Sequence, residues 1–145
     1  MYFEDFYVGF TFTTESRTLG KEEIITFAKQ YDPQPFHIDE LAAKGSIYGG
    51  IIASGFHTMT TAFALSLETG LWADASMGSP GMEEVRWFKP VRPGDTLTVR
   101  AEVTSSEASK SRADIGRTGM LYQTFNQDGE EVMRWRTIHL LKRLP

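Results

Sequence analysis

The chain has 145 residues, of which 41% are hydrophobic and 12% aromatic, and this length predicts one domain, 1–145, with a substantial core. Its formal net charge of −4 argues against a general nucleic-acid-binding protein, and the absence of cysteine excludes disulfides, thiolate metal sites and cysteine nucleophiles. The acidic start, Met1 to Asp5, has no basic region and no long apolar run, so we expect no signal peptide and a cytoplasmic location.

The elements at the start of the chain are predicted to be mainly helical. Loose alternation over 10–19 predicts a first strand. Gly20 is expected to cap the next helix, with Glu22 and Glu23 in its first turn, and helical spacing of apolar residues continues to Tyr31, where Asp32-Pro33 ends it. A short second helix is expected over 38–44. A long central helix is expected from Ile51 to about Gly70.

The uncharged stretch around the central helix is long enough to be compared with a membrane-spanning helix. Residues 45–67 contain no Asp, Glu, Lys or Arg, and a spanning helix needs about 20 apolar residues. The many glycine, serine and threonine residues make this stretch too polar for hydrocarbon, and no membrane partner is expected. The pattern favours a helix enclosed by protein on most sides.

From residue 81 onward the pattern becomes that of strands. Val85 and Trp87 alternate in a strand before Pro90. Further strands are expected over 97–103, 113–125 and 132–141, separated by an Arg-Pro-Gly-Asp turn at 92–95 and an Asp-Gly hairpin at 128–129. The order predicts an α+β fold in which a curved, mainly antiparallel sheet surrounds one long helix.

One short segment carries the chemistry. In Tyr-Asp-Pro-Gln-Pro-Phe-His-Ile-Asp, residues 31–39, the carboxylate of Asp32 precedes the imidazole of His37 by five positions. Pro33 and Pro35 restrict the chain between them, which predicts a stiff, non-helical tether. An ionised Asp beside a neutral His suits the binding and deprotonation of water. The Gly-rich segment 49–55 is expected to offer free backbone N–H groups at a helix start, which suits attack on a polarised carbonyl system.

These motifs resemble those of the MaoC-like dehydratases, the (R)-specific enoyl-CoA hydratases of the hot dog fold. The resemblance is carried by Asp-Pro-Gln-Pro-Phe-His-Ile-Asp at 32–39, Tyr-Gly-Gly-Ile-Ile-Ala-Ser-Gly-Phe-His at 48–57, and Arg-Trp-Phe-Lys-Pro-Val-Arg-Pro-Gly-Asp-Thr-Leu at 86–97. Gln34 stands where the family commonly has Asn, so substrate preference is not carried over.

The resemblance implies reversible addition of water to a trans-2-enoyl-CoA thioester. His37 would be the general base, Asp32 would bind the same water, and the Gly55 N–H would polarise the thioester carbonyl. Which of Asp32 and His37 protonates C2 stays open, as do the acyl chain and the pathway. Coenzyme A is then part of the substrate, and no separate cofactor or metal is implied.

Other side chains are candidates for binding that substrate. Ser54 is a candidate donor to the substrate or a helix cap, and Arg86, Lys89 and Arg92 form a basic run that would meet phosphates or lie at a solvated strand end. Four residues are candidates to shape the acyl pocket or else belong to the core: Phe36, Tyr48, Phe56 and Met59. Gln34 is a further candidate for binding the substrate. His57 is expected to be a buried core group, and His139 carries no motif.

Two rival functions remain at this point. A hot dog thioesterase usually carries its acidic residue on or beside the central helix, and residues 45–67 contain none. A non-catalytic acyl-thioester-binding module would not need a water-activating pair. The resemblance also implies a homodimer with the acyl-CoA tunnel near the interface, and an exposed sheet edge agrees with pairing of two copies.

Overall fold

A computed structural model describes all 145 residues as one antiparallel sheet with four helices. A short 3-10 turn, Phe3–Asp5, precedes the first strand. The helices are α1 (Lys21–Tyr31), α2 (Pro35–Ile38), α3 (Glu40–Lys44) and α4 (Gly55–Glu68). The strands are β1 (Thr11–Thr18), β2 (Gly81–Trp87), β3 (Thr96–Ala108), β4 (Ile115–Phe125) and β5 (Glu131–Lys142).

The five strands form a single sheet in the order β1-β3-β4-β5-β2, and every neighbouring pair is antiparallel. The α+β prediction is therefore confirmed. Both predicted turns occur. In the first, Gly94 has a φ of 90° and Asp95 N–H donates to the Arg92 carbonyl at 3.0 Å. In the second, between β4 and β5, Gly129 has a φ of 73°. β1 and β2 are the two edges of the sheet.

The core lies on the inner face of the three central strands. The alternating residues of β3, from Leu97 to Val103, are at most 1% exposed, as their period of two predicts. Tyr122 of β4 and Trp135 of β5 are paired in register and stack with ring centroids 4.7 Å apart. These large buried rings fix the centre of the sheet.

The central helix begins later than the sequence pattern predicts. Residues 51–54 are extended rather than helical, with Ile52 N–H donating to the Phe36 carbonyl at 3.2 Å and Ala53 N–H to the Val91 carbonyl at 2.8 Å. Ser54 then caps α4 by accepting a hydrogen bond from Phe56 N–H. The apolar run was therefore a buried extended segment followed by a capped helix, and the predicted start at Ile51 was wrong.

The short helix predicted over 38–44 is two helices. Asp39 has extended dihedral angles and its carboxylate accepts hydrogen bonds from Leu41 and Ala42 N–H, which caps α3 and separates it from α2. Pro35 is the first residue of α2, where its missing N–H costs nothing. The segment that carries His37 is thus partly helical, and the prediction of a wholly non-helical tether was wrong.

Helix α4 is covered on one side only. Its small and polar residues, including Thr61, Ala62 and Ser66, are buried against β1 and β3. Its large apolar residues Phe56, Phe63 and Leu67 are 39–59% exposed, so the expectation of cover on most sides is met only toward the sheet. None of the helices combines the length and apolar character needed to cross a bilayer.

Candidate active site

The structure brings Asp32 and His37 together, as the motif predicts. Helix α1 ends at Tyr31, and Asp32 leaves it with non-helical dihedral angles because Pro33 follows. One turn later α2 presents His37 to the same space, with its Nε2 3.2 Å from Asp32 Oδ2. His37 is only 4% exposed.

The orientation of the His37 ring is fixed from behind by the main chain. His37 Nδ1 lies 2.6 Å from the Ile52 carbonyl oxygen, which can only accept a hydrogen bond. Nδ1 therefore carries a proton, and Nε2 faces Asp32 Oδ2. The extended segment that replaces the first turn of the expected helix supplies this carbonyl.

The Asp32 carboxylate is held by two further donors. Gln34 Nε2 donates to Oδ1 at 2.7 Å, and Ser54 Oγ donates to Oδ2 at 2.8 Å. Burial of Asp32 works to raise its pKa, but the hydrogen bonds from Gln34 and Ser54, with His37 nearby, outweigh it and hold the pKa below its ordinary value. The arrangement keeps Asp32 ionised beside the imidazole.

Gly55 is the first residue of α4 and its N–H donates to no atom of the chain. Its carbonyl accepts a hydrogen bond from Trp87 Nε1 at 3.1 Å. A Cβ built on Gly55 would lie 2.6 Å from Trp87 Cε2, so any side chain here collides with the indole. Close packing of Trp87 therefore favours glycine at this position, a reason that sequence reasoning did not provide.

A cavity of about 430 Å³ joins these groups. Its wall includes Asp32, His37 and Gly55, and five of the candidate substrate-binding residues, which are Gln34, Phe36, Tyr48, Phe56 and Lys89. Because a pocket of this size with a few polar groups is typical of small-molecule sites, the cavity is the candidate active site.

Met59 and three of the candidate substrate-binding residues lie off the wall of this cavity. Ser54 is fully buried behind Asp32 and caps α4, so it acts on the carboxylate. Arg86 and Arg92 do not line the cavity, although Lys89 between them does and forms an ion pair with Glu130. Direct contact of Ser54, Arg86 or Arg92 with a substrate stays a prediction.

Sequence reasoning missed part of the wall. Trp87, Phe88, Thr58 and Val91 also line the cavity. The available signal was the pair of consecutive aromatic residues, Trp87 and Phe88, because neighbouring positions of a strand point to opposite faces and only one can enter a core. Both are in fact about half exposed. No group of three or more His, Asp or Glu side chains is arranged to hold a metal ion.

Comparisons with known proteins identify the family of the chain. The sequence profile of the MaoC like domain matches residues 7–121. The uncharacterized protein YdeM of Bacillus subtilis is 33% identical over 143 residues, which cover 99% of this chain and 100% of that protein. The 3-hydroxybutyryl-CoA dehydratase of Methylorubrum extorquens is 27% identical over 139 residues, which cover 92% and 83% of the two chains.

Solved structures extend the likeness to the fold. The crystal structure of the MaoC-like dehydratase from Rhodospirillum rubrum superposes with a TM-score of 0.93 at 36% identity, covering 100% of this chain and 99% of that one. A double hot dog protein of Mycobacterium tuberculosis superposes with a TM-score of 0.79 at 21% identity, covering 100% and 45%. The resemblance seen in the motifs is confirmed: the chain has the hot dog fold and belongs to the MaoC-like dehydratase domain family.

Proposed function

We propose that the protein is an enoyl-CoA hydratase, or 3-hydroxyacyl-CoA dehydratase in reverse, that adds water to the same face of a trans-2-enoyl-CoA double bond. The observation that carries the proposal is the meeting of three groups on one cavity wall: His37 Nε2 3.2 Å from Asp32 Oδ2, and the unpaired N–H of Gly55. The reaction moves one water and needs no cofactor, since coenzyme A is part of the substrate.

The Asp32–His37 pair is suited to hold the attacking water. With the imidazole as general base, His37 Nε2 and Asp32 Oδ2 are both acceptors on the wall of one cavity, and a single water placed there donates one hydrogen to each. As the water oxygen bonds to C3, His37 Nε2 takes one of its protons. Help of this kind contributes about 10²–10⁴-fold in rate.

The electrons displaced from the double bond need a stabilising group. They move through C2 onto the thioester oxygen as the C3–O bond forms, and the Gly55 N–H at the start of α4 is the proposed donor to that oxygen. The proton taken from water is then delivered to C2 on the same face, and the enolate oxygen re-forms the thioester carbonyl. Every atom of the water ends in the 3-hydroxyacyl product.

The neighbouring surface supports the binding of a thioester. Phe36, Tyr48 and Phe56 give the cavity an aromatic lining, which suits an acyl chain. Lys89 lies on the wall, and Arg86 and Arg92 flank it in sequence, so we assign these cations to the phosphates of coenzyme A.

We also propose that two copies pair along β2. This strand is an edge of the sheet, and six of its seven residues are exposed. Five large apolar residues on this side of the molecule are each 39–59% exposed: Phe56, Phe63, Leu67, Met82 and Trp87. Unpaired strand edges and apolar patches of this kind are typical of interfaces between copies.

The activity is tested by incubating the protein with crotonyl-CoA and following the loss of enoyl-thioester absorbance. Asp32→Asn and His37→Gln should each lower kcat/KM by at least about 100-fold, the smallest usual contribution of a general acid or base. Asp128→Asn is the matched control, because Asp128 is an exposed hairpin carboxylate away from the cavity, and it should retain full activity.

Two results would contradict the proposal. Undiminished rates in folded Asp32→Asn and His37→Gln variants would remove both residues from the reaction. Release of free thiol without change in the double bond, measured with a thiol reagent, would make the protein a thioesterase.

Pairing is tested by light scattering during gel filtration. The protein should elute as a dimer, and Met82→Lys should shift it toward a monomer, because Met82 lies on the exposed edge strand. A monomer at micromolar concentration of the unaltered chain would rule out this interface.

A further inference from the structure

One polar side chain on the wall of the active-site cavity has no role in the reaction proposed above. Thr58 lies on α4 one turn after Gly55 and lines the same cavity as Asp32 and His37. Its side chain is only 2% exposed, and its hydroxyl makes no hydrogen bond within the chain. Unlike the hydroxyl of Thr124, which is sealed inside the protein, it keeps access to the cavity. An occupant of the cavity is therefore the natural partner of this hydroxyl.

The helix itself does not satisfy the Thr58 hydroxyl. Serine and threonine hydroxyls within a helix commonly bond to a carbonyl of the preceding turn, and Thr60 and Ser66 of α4 do so. The two carbonyls in reach of Thr58 already have other donors. The Ser54 carbonyl accepts from two backbone N–H groups, at 2.9 and 3.1 Å, and the Gly55 carbonyl accepts from the indole N–H at the end of β2.

The Thr58 side chain points away from the surface that we assign to a second copy. A helix has 3.6 residues per turn, so positions two or nine apart lie on nearly opposite sides. Phe56 and Leu67 stand in this relation to Thr58 and are 59% and 47% exposed, whereas Thr58 is buried. A second copy on the exposed side of α4 would therefore leave the hydroxyl directed into the cavity.

The helix also places this hydroxyl relative to the reacting atoms. Residues three apart on a helix share a face and lie about 5–6 Å apart. In the proposed reaction the thioester oxygen lies at the Gly55 N–H, and C3 lies at the water held by Asp32 and His37. One turn beyond Gly55, the Thr58 hydroxyl meets the acyl chain just past the reacting double bond, at about C4.

The charges on the wall decide which kind of oxygen fits there. Asp32 is held ionised, and Lys89, the only Lys or Arg on the wall, already pairs with Glu130. A substrate carboxylate would be repelled by Asp32 and would lose its hydration without gaining a free cation, which is costly. A neutral hydroxyl, ether or carbonyl oxygen accepts a hydrogen bond from Thr58 without this penalty.

We propose that Thr58 determines specificity and that the substrate is a trans-2-enoyl thioester with an uncharged oxygen attached to C4. The Thr58 hydroxyl donates a hydrogen bond to that oxygen. A plain alkyl chain fills the same space but leaves the buried hydroxyl without a partner, so it is the poorer substrate. This inference rests on the proposed hydratase function and adds the substrate class to it.

The test compares the hydration of trans-2-heptenoyl-CoA with that of its 5-oxa analogue, in which an ether oxygen replaces the methylene group after C4. The two substrates have nearly the same length and shape. The unaltered protein should show a kcat/KM about 5-fold to 100-fold higher for the oxa substrate, the range expected when a buried hydroxyl is paired instead of unsatisfied. Equal values, or a preference for the alkyl substrate, would overturn the proposal.

Thr58→Val assigns the preference to the hydroxyl, because valine has the same shape without the oxygen. It should lower kcat/KM for the oxa substrate and raise it for heptenoyl-CoA, whereas damage to the fold would lower both. This change between enzymes also cancels any effect of the ether oxygen on the reactivity of the double bond. A preference that persists in Thr58→Val, or an equal loss with both substrates, would refute the assignment.

Two control variants should keep the preference. Thr61 is buried on the same face of α4 but lies off the cavity, so Thr61→Val is the matched control for Thr58→Val. Tyr48 carries the other hydroxyl on the wall without a partner, but it is only half buried and its hydroxyl is more easily satisfied by water. Loss of the preference in Tyr48→Phe would assign it to Tyr48 and overturn the role of Thr58.

Binding separates failure of this inference from failure of the hydratase proposal. Hydration of both substrates at equal rates refutes the inference alone. If neither is hydrated, the hydratase proposal falls, and calorimetric titration with saturated heptanoyl-CoA and 5-oxaheptanoyl-CoA decides the rest. Tighter binding of the oxa thioester that is lost in Thr58→Val supports recognition by Thr58, and equal dissociation constants refute it.

Discussion

The indole of Trp87 lies directly against the backbone of Gly55, with Nε1 donating to the Gly55 carbonyl at 3.1 Å. The two residues are 32 positions apart: Trp87 is the last residue of the edge strand β2, and Gly55 is the first residue of α4. This contact fixes the helix start that carries the proposed donor to the thioester.

Gly55→Ala should therefore damage activity more than stability. The new methyl group would meet the Trp87 ring at 2.6 Å, and either the indole or the start of α4 must move. A misplacement near 1 Å costs on the order of 100-fold in rate, so we expect that loss in kcat for crotonyl-CoA.

Gly50→Ala is the control for this substitution. A Cβ at Gly50 has only ordinary contact with Arg92, at 3.8 Å, and its φ is not in the left-handed region. Its kinetics should match those of the unaltered protein. Normal turnover in Gly55→Ala would show that the Trp87 contact does not position the site.

Ser54→Ala should shift the pH dependence of activity. Ser54 donates to Asp32 Oδ2 and helps to hold the Asp32 pKa below its ordinary value, so its loss raises that pKa. Activity that needs ionised Asp32 disappears as pH falls through this pKa, and the acid limb of the kcat/KM profile should move to higher pH. Loss of the cap should also cost about 1 kcal/mol of stability, measured by urea unfolding.

The acid limb separates this role from a purely structural one. A variant that only destabilises α4 would lower kcat/KM at all pH values with an unmoved limb. That result would contradict the assignment of Ser54 to Asp32.

Stability should fall as pH decreases from about 6.5 to 4 because of His139. Its pKa drops from an ordinary 6.5 to about 4 on folding, so the unfolded chain binds more protons in this window. Stability is fully present above 6.5 and decreases by up to roughly 3 kcal/mol by pH 4, since each unit of pKa corresponds to about 1.4 kcal/mol.

Urea unfolding across this pH range checks the effect. His139→Gln should flatten the pH dependence without abolishing it, because burial also lowers the pKa of His57 in the same direction. An unchanged slope in His139→Gln would exclude His139 as its source.

Thr124→Val should stabilise the fold. The Thr124 hydroxyl is buried in β4 without a hydrogen-bond partner, and valine has the same shape without the polar atom. Removing an unsatisfied buried group gains about 1–3 kcal/mol, which thermal and urea unfolding would detect.

Thr14→Val is the matched comparison with the opposite sign. The Thr14 hydroxyl accepts a hydrogen bond from the buried Val99 N–H at 3.0 Å and donates to the Glu15 carbonyl. Its loss leaves that N–H unpaired and should destabilise by a similar amount. Equal effects of the two substitutions would contradict the difference in hydrogen bonding.

The parts of the site that were predictable are those encoded locally. Asp32 and His37 meet because Pro33 follows the end of α1 and Pro35 begins the short helix α2, so both side chains are placed within six residues. The period-two pattern likewise predicted the buried face of β3. In both cases neighbouring residues carry the information.

The errors have a common physical cause, which is competition from distant partners. Residues 51–53 are apolar enough for a helix, but hydrogen bonds to Phe36 and Val91 keep them extended until Ser54 provides a cap. The Trp87–Gly55 contact and the Tyr122–His139 pair join residues far apart in the chain, and no spacing rule reports them.

The hydrogen bond from His37 to the carbonyl of residue 52 has an evolutionary consequence. Because the acceptor belongs to the main chain, exchange of Ile52 for another aliphatic side chain leaves the proton on the same imidazole nitrogen. Aliphatic substitutions at position 52 therefore leave the tautomer of His37 unchanged. The side chain at this position can vary the shape of the cavity that it lines while the chemistry is kept.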